Sequence, residues 1–293
     1  MPVWNGQEFL AEAIESILSQ TYRKFELLVA DDASQDDSYQ IAKAYAKKYP
    51  NRVKVFHLRK QTNEAGNGAV NAVLKHARGE YIARMDADDV AHPKRLEKQV
   101  AYMEGHPKVM VLGTQARVID GQGKVTGQKV YPTRHEEIVK AYAVVHPMIH
   151  PSVMVRRSML PDKNRLYQMK FGINDDYYTF FGLQKIGRFA NLPQKLLDYR
   201  VHGKNASLVQ LKKRYKNISN IRKAAVADFG YKMNWKAKGV VMVQGVIVAM
   251  LPELVLTQMY LMMRGMAGVK WGAWKEWLPS VNLRTSRRLV YTN

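Results

Sequence analysis

The chain contains no cysteine. That absence excludes a disulfide scaffold, a thiolate nucleophile, a cysteine zinc site and an iron–sulfur cluster. It is compatible with a reducing compartment. The opening MPVWNGQEFL has no basic stretch leading into an apolar one, so no signal peptide is expected. Nor is there a clean membrane-spanning run. The most apolar stretch, Gly239 to Met263, is long enough, but Pro252-Glu253 splits it into two short halves. An in-plane or re-entrant membrane helix fits it better than a full span, with a buried helix pair as the alternative. Internal repeats and low-complexity segments are missing too. The chain does have 293 residues, 46% hydrophobic and 24% charged. That suffices for one large or two small domains with their own core, and it excludes a wholly disordered chain.

Acidic residues are outnumbered. The 25 Asp and Glu stand against 46 Lys and Arg, a formal net charge of +21. Such an excess points to an anionic partner: nucleic acid, a phosphorylated substrate or acidic lipid. The excess is uneven. Residues 1–200 hold 30 basic and 22 acidic side chains, whereas residues 201–293 hold 16 and 3. Most acids therefore lie in the first two-thirds, and there they cluster.

The apolar spacing gives an amphipathic helix over 8–18, a buried strand in FELLVA (25–30), and a helix capped by Ser34 that carries Ile41, Tyr45 and Tyr49. A strand at 53–58, a helix running to Ala77, a strand at 81–85 and a helix opened by Pro93 come next. Strands alternating with helices over 1–105 predict an α/β domain with a parallel sheet. Such a sheet expects a strand before its first helix. Only Met1-Pro2-Val3 precede Trp4-Asn5, so that strand is expected to be missing, through a truncated start or a late start codon. Beyond 106 the pattern shifts to shorter strands at 109–112, 117–119 and 125–130. A helix near 135–145, an extended segment at 149–156, a helix at 172–186 and two extended pieces in 188–201 complete it. Residues 204–230 read as a basic helix.

Three acidic groups carry the chemistry. Asp86-Ala87-Asp88-Asp89 comes after an apolar strand, and ligands of such sheets gather beyond strand carboxyl ends. Two carboxylates there suit a divalent ion on a diphosphate, while Asp89 reads as a cap for the helix near Pro93. Asp31-Asp32 end another strand, either to hold a base or ribose or simply to form a turn. Asp175-Asp176 sit in the aromatic run FGINDDYYTFFGL, a setting that suits a general base. The rival reading is a helix N-terminal pair favoured by the dipole. His146 and His150 lie beside turn residues and read as structural, and His202 after YRV as a candidate metal ligand.

The chain resembles a family-2 glycosyltransferase of GT-A fold from Pro2 to about Ser207. The motifs are PVWNGQEFLAEAIESILSQTYRKFELLVADDAS, GEYIARMDADD with HPKRLEKQV, HPSVMVRR, NDDYYTFFGL and LLDYRVHGKNAS, in family order. The resemblance implies that Val3 and Asp32 contact the donor base, Asp86 lies near the ribose and Asp88 holds a metal on the diphosphate. It implies that Asp176 is the general base, beside Asp175 where the family usually has Glu, and that His202 lies near the metal. Tyr178 stands where an acid is usual. The activity it implies is that of an inverting transferase using Mn2+ or Mg2+, with a nucleotide-sugar donor and a glycan or lipid-linked acceptor, in bacterial surface-glycan assembly.

The expected organisation is a catalytic domain over 1–203, divided into a nucleotide-sugar-binding half (1–105) and an acceptor-binding half (106–203). A basic, apolar helical tail (204–293) is expected to rest on an anionic membrane surface. The protein is then cytoplasmic and peripheral on the inner membrane, without a nucleic-acid partner. Two rival functions compete with this one. DADDV approaches the D-x-D-x-[TV] pattern of haloacid-dehalogenase-like phosphatases, but after the third visible strand instead of the first. A net charge of +21 also motivates a nucleic-acid binder, although the basic stretches border apolar runs instead of aromatic recognition elements.

Overall fold

The first strand is present in two residues. In the computed structural model, which describes residues 1–62, 66–202, 205 and 210–263, β1 (Pro2–Val3) pairs parallel with β2 (Leu27–Asp31), Val3 opposite Asp31. Between them runs α1 (Leu10–Leu18), which buries Leu10, Ala13, Ile14 and Ile17 at helical spacing. After α2 (Ser38–Lys48), β3 (Val53–His57) adds to β2 in parallel and completes a three-stranded sheet. The parallel sheet ends there.

After α3 (Asn67–Leu74), β4 (Tyr81–Ala83) joins a second, mixed sheet together with β5 (Val90–Ala91). α4 (Arg95–Gly105) leads into β6 (Val109–Ile119), β7 (Val125–Lys129) and α5 (His135–Ala141). Then come β8 (Met154–Arg156), α6 (Asp175–Leu183) and β9 (Arg188–Arg200). The second sheet has the order β4-β8-β6-β9-β5, with β7 on β6. Only β6 and β9 pair in parallel, so the fourth strand of the expected parallel sheet lies antiparallel to β8 instead.

Two other expectations change. The separate strands expected at 109–112 and 117–119 are one strand, β6, buried along almost its whole length. The two pieces expected in 188–201 are likewise one strand. Pro193 suggests a break, since it cannot donate to a ladder. The chain accommodates it in a register shift, with Leu192 opposite Thr114 and Lys195 opposite Gln115. Beside that shift, Gly113 is needed for close approach, because a Cβ there would lie 2.1 Å from the Asn191 amide oxygen.

The chain continues through α7 (Leu211–Phe229), α8 (Trp235–Met250) and α9 (Glu253–Met263). Ile221 and Ala225 of α7 share a buried core with Phe180 and Phe181 of α6 and with Met110 and Val111 of β6. By contrast, α8 and α9 leave large apolar side chains in the open. Met242 is 70% and Met250 77% exposed, so the alternative of a buried helix pair does not describe them. Among the described residues no helix is long and apolar enough to cross a membrane.

Candidate active site

The loops after β1 and β2 are locked to each other. Asn5 N–H donates to Ser34 Oγ at 3.0 Å, Gln35 N–H to Asn5 Oδ1 at 2.8 Å, and Gly6 N–H to Ser38 Oγ at 2.9 Å. Ser34 thus fastens two loops and does not cap α2, whose N-cap is Asp37. Asn5 and Ala33 take positive φ, 50° and 61°, a cost the cross-links offset. The Val3 carbonyl accepts Asp32 N–H at 2.8 Å. The Asp32 carboxylate accepts the Thr62 backbone N–H at 2.9 Å and the Thr62 hydroxyl at 2.8 Å. Its neighbour Asp31 turns to the other side, 2.6 Å from His57 Nδ1. Of this acidic pair, Asp32 lines a large cleft.

That cleft has a volume of about 1530 Å³. Asp86 and Asp88 line it, and with Asp89 they bring carboxylate oxygens within 4.8 Å of one another. Carboxylates this close repel one another and raise one another's pKa, and nearby cations ease that repulsion. The buried Arg84 guanidinium lies 2.7 Å from Asp86 Oδ1. Arg200, also buried, ends β9 and holds the loop from behind. Its backbone N–H donates to Asp89 Oδ1 at 2.8 Å, its Nε to the Asp88 carbonyl at 2.8 Å, and its Nη2 to Glu12 at 2.5 Å. Asp89 is thus a buried anchor for β9, not the cap of α4, whose N-cap is Lys94. Burial, with Asp88 and Asp86 adding to it, pushes the Asp89 carboxyl well above the usual carboxylate range. His202, two residues past β9, brings Nε2 to 2.9 Å from Asp88 Oδ2, with its ring 5.0 Å from that of Phe9.

The pair at α6 separates. Asp175 and Asp176 are its first two residues, so the pair does sit at a helix N-terminus. Asp175 is fully buried and its Oδ1 accepts Lys170 N–H at 2.8 Å and Phe171 N–H at 2.5 Å. It fastens the preceding loop and does not line the cleft, whereas Asp176 does. The catalytic expectation for Asp175 therefore gives way to a structural one. Successive side chains at a helix start point about 100° apart, so only one of two adjacent acids can face the cleft.

The two histidines expected to be structural converge on Asp176. His146 Nε2 lies 3.5 Å and His150 Nδ1 3.9 Å from Asp176 Oδ2. His150 Nε2 is 2.7 Å from the Tyr167 hydroxyl. Burial, with Arg84 and His146 adding to it and Asp176 opposing, lowers His150 to about 3. The ring is therefore neutral. Burial raises the pKa of the Tyr167 phenol, which shares this hydrogen bond with Nε2, and the opposite ring nitrogen, Nδ1, faces Asp176. Asn71 fixes this tyrosine by accepting its backbone N–H at 3.0 Å and donating to its carbonyl at 2.8 Å. The matched His-Pro pairs at 146–147 and 150–151 are the only sequence signal for this group. Arg84 and Arg200 give none, because an arginine in a strand reads as a surface residue.

His150 makes stability depend on pH. The unfolded chain protonates this ring near 6.5 and the folded one near 3. Between those values the unfolded state binds the extra proton, so stability falls as pH drops through that window. The contribution is up to a few kcal/mol. His150→Gln, which cannot titrate, is expected to lose less melting temperature than the parent between about pH 7 and pH 4. Parallel melting curves for the two proteins would remove this assignment.

The model of the family described as "Glycosyl transferase family 2" matches residues 1–163. The chain is 43% identical over 158 residues to the Bacillus subtilis protein EpsE, described as a glycosyltransferase, covering 54% of this chain and 55% of that one. It is 34% identical over 212 residues to the O-antigen biosynthesis glycosyltransferase WbnJ of Escherichia coli, covering 70% and 79%. The mannosyltransferase PcManGT of Pyrobaculum calidifontis, solved with GDP-Man and Mn2+, superposes with a TM-score of 0.59 at 17% identity, over 90% of this chain and 74% of that one. The last likeness shows the fold alone, which is GT-A. The match spans just over half the length of the first of these relatives.

Proposed function

The chain belongs to glycosyl transferase family 2, and from that premise we propose that it transfers a sugar from a nucleotide-sugar donor to an acceptor hydroxyl, inverting the anomeric carbon. One observation carries the reading. A single cleft is lined by Val3, Asp32, Asp86 and Asp88 and also by Asp176, so donor-binding groups and a base share one space. Val3 and Asp32 hold the base of the nucleotide, and Asp86 lies by its ribose. The hard oxygen donors of Asp86 and Asp88, with the imidazole of His202, fit a Mn2+ or Mg2+ ion. When bound, such an ion neutralises the charge that develops on the leaving diphosphate.

The protein's own groups do the rest. The acceptor oxygen attacks the anomeric carbon as the bond to the diphosphate oxygen breaks. Asp176 takes the hydroxyl proton, with the His146 and His150 rings packed beside its carboxylate. The loop bearing Asp86 and Asp88 is held in place by Arg200 and Arg84, so no reorganisation is needed during the step. Thermal shift with UDP-, GDP- and dTDP-sugars, with and without Mn2+, tests the donor assignment. At least one is expected to raise the melting temperature, and a panel in which none does so rejects it.

The setting is bacterial surface-glycan assembly, in line with the O-antigen relative. We place the protein at the cytoplasmic membrane surface. Met242, Val246 and Met250 recur at helical spacing on the exposed side of α8, and Lys212, Lys213 and Lys216 of α7 are exposed. Each basic residue near an anionic surface contributes about 1 kcal/mol, and apolar insertion adds to it. Arg284, Arg287 and Arg288, also expected to contribute, lie outside the described residues. Sedimentation with phosphatidylglycerol liposomes is expected at low salt, weakened at high salt and lost in Met242→Glu/Met250→Glu. A parent protein that stays in the supernatant would end the membrane assignment and leave the donor chemistry untouched.

A further inference from the structure

Asn174 is the N-cap residue of α6, two positions before Asp176, and both line the cleft. Asparagine is favoured at an N-cap because its side-chain oxygen accepts a backbone N–H of the first turn. Here it makes no such bond. Its Oδ1 instead accepts Nδ2 of Asn217, on α7, at 3.1 Å. The same Asn217 Nδ2 donates to the Phe171 carbonyl at 2.8 Å, an atom that can only accept. That contact fixes which end of the Asn217 amide is the donor, and so which end of Asn174 faces it. Asn174 turns Oδ1 toward α7 and Nδ2 away from it.

That Nδ2 has no protein partner among the described residues, and it is not one of the polar atoms closed off from solvent. A residue only 6% exposed thus keeps open N–H donors at the cleft. An N-cap side chain sits over the end of its helix and not along its side. Asn174 therefore shares the cleft with Asp176, although the buried Asp175 stands between them in sequence. The start of α6 offers the cleft an amide group that only donates and a carboxylate that only accepts. Two neighbouring hydroxyls of a sugar ring match that pair. One gives its proton to the carboxylate, while the oxygen of the other accepts an N–H. A lone primary hydroxyl would leave the amide unused.

We propose that Asn174 reads a second hydroxyl of the acceptor, next to the one that attacks, and that the acceptor is a pyranoside glycosylated on a ring hydroxyl with a free vicinal neighbour. The inference rests on the glycosyltransferase reading of this cleft and on Asp176 as its base. The amide holds the ring so that one hydroxyl lies at Asp176, and this fixes the position of the new linkage. Asn217 is a positioning residue that acts only through Asn174.

The test uses the full chain, the nucleotide sugar that raises its melting temperature, and the p-nitrophenyl glycosides of glucose, galactose, mannose, N-acetylglucosamine and N-acetylgalactosamine. Transfer to a ring hydroxyl of at least one is expected. That glycoside is then compared with analogues lacking one of the hydroxyls that flank the attacked carbon. One such deletion is expected to lower kcat/KM by about 3- to 10-fold in the parent, the effect of a single neutral hydrogen bond. Asn174→Ala is expected to lose the same factor on the intact glycoside and nothing further on the deoxy analogue, with donor affinity unchanged. Asn174→Asp keeps an oxygen for Asn217 but cannot donate, and its ratio between the two glycosides decides the matter if Asn174→Ala does not fold. A purely structural Asn174 would leave the discrimination intact. Parent-like discrimination in a folded variant, transfer to a primary hydroxyl, or transfer to none of the glycosides by an enzyme that binds its donor overturns the proposal. Failure of the parent to bind any nucleotide sugar strikes instead at the transferase reading.

Discussion

Asp176→Asn is expected to lower kcat by about 10²- to 10⁴-fold with donor affinity nearly unchanged, the range for losing general acid–base help. An amide keeps the shape and the contacts with His146 and His150 but has no basicity for the hydroxyl proton. The neighbouring acid supplies the control. Asp175 accepts two backbone N–H groups from the loop before α6 and does not face the cleft. Asp175→Ala is therefore expected to cost stability, about 1–3 kcal/mol for two buried donors left open. Its kcat should fall far less once the folded fraction is counted. Steady-state kinetics on both variants, paired with denaturant titration, separates the two. If Asp175→Ala loses the larger share of kcat at matched folding, the base has been placed on the wrong residue.

Asp88→Asn is expected to lower turnover by about 10²-fold or more, because several kcal/mol of charge stabilisation on the leaving diphosphate depend on holding the divalent ion. A neutral amide oxygen is a far poorer ligand for Mn2+ or Mg2+ than a carboxylate. Excess EDTA should reproduce the loss in the parent, and added Mn2+ should restore the parent more readily than the variant. The fold should persist, since the contact from Arg200 is to the Asp88 backbone carbonyl and survives the change. Full turnover in EDTA would remove the ion from the mechanism altogether.

Local order is readable from the chain. The apolar spacing over 8–18 is α1, FELLVA contains β2, and the acids after two strands gather at one cleft through Asp32, Asp86 and Asp88. These are short-range properties, since helix and strand periods and strand-end positions are set by neighbouring residues. The motif resemblance adds the assignment of Asp176 over Asp175. The helix geometry gives it a physical reason, because only one of two adjacent side chains can face the cleft.

Pairing between distant segments lies beyond that reach. Nothing local says that β4 runs antiparallel to β8, or that β6 and β9 lie side by side as long parallel strands. Only that pairing carries Arg200 and His202 more than a hundred residues back to Asp88 and Asp89. The convergence of His146 and His150 on Asp176, with Tyr167 behind His150, is of the same kind. Residue order alone fixes the elements and the residue types of the chemistry, because propensity and periodicity are local. Which acid is free, which arginine is paired and which histidine is neutral depends on how the elements pack. Burial and charge proximity are properties of a packed space, and they track the contacts instead of the order of the chain.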